Sequence, residues 1–117
     1  MADELKPAYL IAGGDRPKVD RAVDRLRSRF APDAVEVLRA ETTTGEEAVA
    51  ACNALGLFAG EGRLIIVRHV DSWKAADAKA VGQYLKAPAP ATTLALVGDD
   101  VGKEAPIAKA QIGRAHV

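Results

Sequence analysis

Apolar residues along this chain follow two alternating patterns: short unbroken runs, and stretches in which they recur every three or four positions. The first run, Ala8 to Gly14 (AYLIAGG), ends in paired glycines and predicts a buried strand entering a tight turn. Between Arg16 and Phe30, Val19, Val23, Leu26 and Phe30 recur at steps of four, three and four, with Arg21, Arg25 and Arg29 on a separate stripe. That spacing predicts an amphipathic helix, stopped before Pro32. A weak alternation over Ala34 to Glu41 predicts a second strand. Thr44 stands three residues before Glu47, the capping-box spacing, and opens a second helix ending at Gly56. Arg63 to Val70 (RLIIVRHV) holds four consecutive apolar residues and predicts a strand covered on both faces. A third helix is expected over Lys74 to Lys86, and a fourth buried strand in Thr92 to Asp100 (TTLALVGDD).

Strands alternating with helices predict an α/β domain: an open parallel sheet with right-handed crossovers and helices laid on its faces. After Val101 a further helix and strand are due, yet the chain ends in QIGRAHV. The last six residues, Ile112 to Val117, read as a translated sequencing adapter. The expectation is therefore a partial domain over 1–111, truncated after the fourth strand, with 112–117 a non-native tail in which His116 carries no role. The outer edge of the first strand is then expected to be unprotected and to invite self-association.

Composition narrows the classes. The 117 residues are one domain's worth of chain, and 49% apolar with 27% charged residues is a globular balance. Sixteen Lys and Arg against sixteen Asp and Glu leave no net charge to gather nucleic acid or an anionic membrane. The single Cys52 makes no internal bridge, no leader or long apolar span is seen, and a cytoplasmic location is expected. Cys52, His69 and His116 lie too far apart in sequence to suggest a metal site.

A parallel sheet whose first strand ends in glycines raises a nucleotide site. The phosphate loop needs G-x-x-x-x-G-K-[ST], whose main-chain N–H groups wrap phosphates while Lys and a hydroxyl reach phosphate and Mg²⁺. Here Lys18 or Val19 falls where the second glycine belongs, and Asp15 brings a negative charge toward the phosphates. The dinucleotide fingerprint fails as well, because Gly13 and Gly14 are adjacent and no third glycine follows. Where hydrolases carry carboxylates, the third strand ends in Arg68 and His69. The glycines are thus read as a strand-to-helix turn. Ser28, Ser72 and His69 form no nucleophile arrangement, Asp99-Asp100 is read as a polar strand exit, and Asp71 as a helix cap. No catalytic site and no cofactor are expected. The arginine stripe is read as a solvated helix face, because Asp20 and Asp24 interleave it, Arg27 is spaced to pair with Asp24, and no aromatic is there to stack on bases. Trp73 is read as an anchor at the start of the third helix.

Leu57 and Phe58 follow Gly56 at the end of the second helix. Leu57 suits an apolar residue packing back on the last turn near Cys52, and Phe58 could tuck under the sheet; both could instead project toward a partner.

The segments KPAYLIAGGDRPKVDRAVDRL, GEEAVAACNALGLFAGEGRLIIVRHVDSW and YLKAPAPATTLALVGDD, taken in order, resemble the amino-terminal domain of the bacterial DNA polymerase III delta subunit over about residues 5 to 110. That family is the clamp-loader component that opens the sliding clamp. The resemblance implies a three-layer AAA+-like (P-loop NTPase-like) domain without a functional nucleotide site. It implies a clamp-binding plug made by Leu55, Leu57 and Phe58, with Asn53 where related motifs often carry glutamine, and Gly56 letting the chain turn sharply. It also implies the beta sliding clamp and other clamp-loader subunits as partners, DNA reached only through the complex, no membrane, and membership of a DNA-directed DNA polymerase, a nucleotidyltransferase assembly.

Overall fold

A computed structural model of the chain describes residues 8–54, 62–89 and 91–98 and the backbone of 113–116. Along the chain run β1 (Ala8–Ala12), α1 (Arg16–Arg27), β2 (Val35–Arg39), α2 (Gly45–Asn53), β3 (Arg63–Arg68), α3 (Ala75–Tyr84), β4 (Thr92–Gly98) and β5 (Gly113–His116). Short 3-10 turns at Pro32–Ala34 and Val70–Ser72 complete the described elements. The strands form one sheet in the order β2-β3-β4-β1-β5, and every pairing is parallel.

The central strands are apolar on both faces because both faces are covered. Since side chains alternate along a strand, Ile65, Val67, Leu94, Leu96, Leu10 and Ala12 join one core, and Leu64, Ile66, Ala95, Val97 and Ile11 the other. α1 covers the second face with Val19, Val23 and Leu26, the apolar stripe of its sequence. α2 and α3 cover the first with Ala48, Cys52, Ala78, Val81 and Tyr84. The result is a three-layer α/β/α domain with an open parallel sheet, as the sequence pattern implies.

The two helices on one face pack closely at their starts. A Cβ on Gly45 would overlap the main chain of Asp77, so only glycine lets α2 approach α3 there. The Thr44 capping box is formed: Thr44 Oγ1 accepts the Glu47 N–H at 3.1 Å, and Glu47 Oε1 accepts the Thr44 N–H at 2.9 Å. Trp73 is the anchor expected of it, packed against the core with its indole N–H donating to the Thr43 carbonyl at 2.8 Å.

Two expectations need correction. Asp71 does not cap α3; it lies inside the Val70–Ser72 turn. The residue at the cap position is Lys74, whose side chain offers no acceptor, so Asp77 reaches back instead. Its Oδ2 accepts the Lys74 N–H at 3.1 Å and its Oδ1 the Gly45 N–H at 2.9 Å, tying the starts of α2 and α3 together.

Nor does the sheet stop at four strands with β1 at an open edge. Residues 113–116 lie beside β1, with Tyr9, Leu10, Ile11 and Ala12 opposite Gly113, Arg114, Ala115 and His116. The physical reason is that a strand edge presents unpaired N–H and C=O groups, and a neighbour satisfies these through its main chain whatever its side chains.

Candidate functional site

Of the residues expected to form a plug, Leu55, Leu57 and Phe58 lie outside the described residues, as does Gly56. Asn53 is described: it is the last residue of α2 and its side chain is exposed. What the structure adds is how the flanks of the 55–61 stretch are held. α2 breaks at Ala54, whose extended backbone (φ −66°, ψ 130°) turns the chain off the helix axis. On the far side Gly62 sits at φ +86°, a left-handed conformation that favours glycine, and delivers the chain into β3.

Arg63 joins these two flanks. Its Nη1 donates to the carbonyl oxygens of Ala54 at 2.7 Å and Ala51 at 3.4 Å, while Nη2 lies 3.7 Å from the Glu36 carboxylate on β2. A helix ends with carbonyl groups lacking intrahelical partners and a partial negative charge, and the last turn of α2 has no basic residue of its own. The guanidinium from β3 supplies both the donors and the charge. Sequence reasoning missed this residue; the only signal was an arginine between a glycine-rich turn and an otherwise apolar strand.

The opposite end of β3 carries a second arginine with a different task. Arg68 turns toward α1 and binds Asp20 at 2.8 Å. By strand geometry the two arginines are separated by roughly 17 Å along β3, one at each end of the sheet. Near Arg68 a cavity of about 170 Å³ opens at the carboxyl ends of β3 and β4, lined by Arg16, Val19, Asp20, Arg68, His69, Val97 and Gly98. Open parallel sheets bind ligands at such strand ends. Here, however, the space is smaller than the roughly 300–1,000 Å³ of common ligand pockets. The protein's own groups also take the places a phosphate would use. Asp15 caps α1, its carboxylate accepting the Lys18 N–H at 3.3 Å, and Gly13 N–H is directed to the Gly98 carbonyl at 3.4 Å. His69, at φ 63°, holds a left-handed conformation unusual for a residue with a Cβ.

Arg21 and Arg25 are exposed along α1, as a solvated face should be, and Arg29 is exposed just beyond its end. The expected Asp24–Arg27 pair is absent among the described residues; Asp20 of this helix pairs instead with Arg68. On the other face Cys52 is buried, and burial pushes its thiol up to about 11, against a hydrogen bond with Tyr84 that acts in the opposite direction. A thiol so placed is protonated at neutral pH and unreactive. Among the described residues no cluster of His, Cys, Asp and Glu could hold a metal, and no helix is long and apolar enough to cross a membrane.

No protein-family model matches the chain, and no curated protein matches it in sequence. Among solved structures it is similar to a DNA polymerase III gamma subunit-related protein from Thermotoga maritima, with a TM-score of 0.65 and 20% sequence identity. What the two share is the fold. The match covers 94% of this chain and 40% of that one, so this chain spans well under half the length of its structural neighbour.

Proposed function

We propose that this domain belongs to a clamp-loader subunit of the DNA polymerase III assembly, specifically the delta subunit, and that it binds and opens the beta sliding clamp through Leu55, Leu57 and Phe58 with Asn53 beside them. The observation that carries this reading is the tether from Arg63 to Ala54, which fixes the flanks of the plug-bearing stretch at one end of the sheet, next to an exposed Asn53. The fold likeness to a gamma subunit-related protein supports the wider clamp-loader relation. Other loader subunits are the further partners, DNA is met through the complex, and the setting is cytoplasmic.

The energetics set what the plug does alone. Burying a leucine and a phenylalanine contributes roughly 1.5–3 kcal/mol each, or about 3–6 kcal/mol before ordering costs. That corresponds to affinities from the millimolar range to about tens of micromolar. Tighter binding needs contacts from the neighbouring turn and helix. Ring opening further requires that the subunit prefer the sprung form of the clamp to the closed one, since a ligand shifts an equilibrium only by its differential affinity. ATP would be used by partner subunits.

A pull-down with a purified bacterial sliding clamp tests the reading; no capture at tens of micromolar protein would end it. The rival, a nucleotide- or cofactor-binding parallel α/β domain with a divergent glycine turn, draws on the cavity beside Arg68. Calorimetry with ATP, GTP and NAD separates the two, because micromolar binding of any of them favours the rival.

A further inference from the structure

The chain as a whole is neutral, but its positive charge is concentrated on α1. Six of the sixteen Lys and Arg residues fall between Arg16 and Arg29, against two of the sixteen Asp and Glu. In sequence Asp20 and Asp24 interrupt the basic positions; around the helix they do not. At 3.6 residues per turn Lys18, Arg21 and Arg25 fall within a sector of about 60°, with Asp20 and Asp24 outside it on the side toward β3. Asp20 turns to Arg68 at 2.8 Å. Asp15, the neighbour of Lys18 at the helix start, is held as the cap by the Lys18 main-chain N–H at 3.3 Å. All three cations are exposed, and the ion pairs among the described residues involve none of them. Arg21 engages its Nε with the Pro17 carbonyl at 3.4 Å, which leaves its two terminal nitrogens facing outward. With a rise of 1.5 Å per residue the three charges stand in a row over about 10 Å of the helix axis.

We infer that this flank of α1 is a contact site for the phosphate backbone of a double-stranded nucleic acid, held through Lys18, Arg21 and Arg25 without regard to base sequence. Three features select that partner. A duplex carries one charge per about 1.7 Å of its axis, so a row of cations about 10 Å long meets several phosphates at once. The flank has no aromatic on which unpaired bases could stack, since Tyr9 and Phe30 pack against the core beneath α1. Nor does it expose a large apolar residue of the kind that centres a protein interface; among the described residues that exposure belongs to Val37, on β2. The attraction is local, as a chain of zero net charge requires. The inference stands apart from clamp binding: no residue of the 53–58 stretch takes part, and its failure leaves that reading where it was.

Fluorescence anisotropy of a labelled DNA duplex, titrated with the full chain and without any clamp, tests it. Three phosphate contacts predict a slope of about −2.7 for log K against log salt, so that raising salt from about 20 to about 100 mM weakens binding about 80-fold. That slope needs no variant. K18Q/R21Q/R25Q should bind at least about tenfold more weakly than the parent at about 20 mM salt, with a slope near zero. R27Q/K79Q/K86Q, which removes the same charge from other exposed positions, should stay within about threefold of the parent. Glutamine is a good helix former, so both variants should melt with the parent. The inference is overturned by a parent that does not bind at about 100 µM protein and about 20 mM salt, by a parent slope shallower than about −1, or by equal loss in the two variants. It is overturned as well if polyglutamate binds the chain through these three residues more tightly than the duplex does, which would assign the flank to an acidic protein.

Discussion

The guanidinium of Arg63, the first residue of β3, donates to the carbonyl oxygen of Ala54, the residue that ends α2, at 2.7 Å. Eight positions separate the two in sequence, and the side chain of Arg63 is only 16% exposed. Hydrogen bonds made by a charged group contribute about 1.5–3 kcal/mol, toward the lower end where, as at Ala54, the partner is exposed. Arg63→Met should therefore destabilise the domain by about 1–3 kcal/mol in urea unfolding, with Arg63→Lys recovering part of it, because an ammonium serves one carbonyl but not two with the same geometry. Equal stability of all three proteins would show that the tether does not hold α2 to the sheet.

Thr44 and Glu47 close the start of the same helix. Thr44→Ala should cost about 1 kcal/mol, while Thr44→Ser should be close to neutral, since serine presents the same oxygen to the Glu47 N–H. Chemical denaturation of the pair checks both.

Asp77 links the two helices on one face, and the N–H groups of Gly45 and, less strongly, Lys74 hold its carboxyl below the usual carboxylate range. A depressed folded pKa means that its stabilising effect is present above the unfolded value, about 3.9, and lost as pH falls through the folded one. Asp77→Asn should thus melt at a lower temperature than the parent at pH 7, with the gap closing as the pH is lowered below about 4. A gap independent of pH would assign the loss to something other than the carboxylate. Gly45→Ala should be destabilising at every pH by about 1–3 kcal/mol, because the clash is with main chain rather than with a movable side chain.

Cys52 gives the opposite sign. Burial raises its thiol from 9.0 to about 11, so the stability it brings is complete below pH 9 and falls as pH rises toward about 11. At neutral pH a thiol reagent should modify Cys52 only as fast as the domain opens, and urea should accelerate the reaction; rapid labelling of the native protein would place the thiol at the surface.

Much of the architecture was legible because period and burial agree. Val19, Val23 and Leu26 form a helical stripe and are all buried, and the runs 64–67 and 94–97 are apolar because both faces of the sheet are covered. The capping box at Thr44 was legible for the same kind of reason, a fixed local spacing with one geometric use. What the sequence hid is long-range and polar. Arg63 and Arg68 are identical letters, yet one turns to a helix end and the other to Asp20, because they sit at opposite ends of β3 with different parity. Asp71 was the cap the sequence suggested, but the turn at Val70–Ser72 moved it out of position and Asp77 reaches back in its place. The fifth strand was invisible since Gly-Arg-Ala-His has no strand pattern, and a free edge selects by main chain.

The most direct test of the clamp-binding reading is the affinity of the chain for a bacterial sliding clamp, measured by surface plasmon resonance for the parent and for Leu57→Ala/Phe58→Ala, with melting temperatures taken alongside. The proposal predicts at least about a tenfold weaker complex, the scale expected from losing part of 3–6 kcal/mol of apolar contact, with little change in melting. Unchanged clamp affinity together with a large drop in melting temperature would mean that both side chains belong to the domain's own core, and would contradict it.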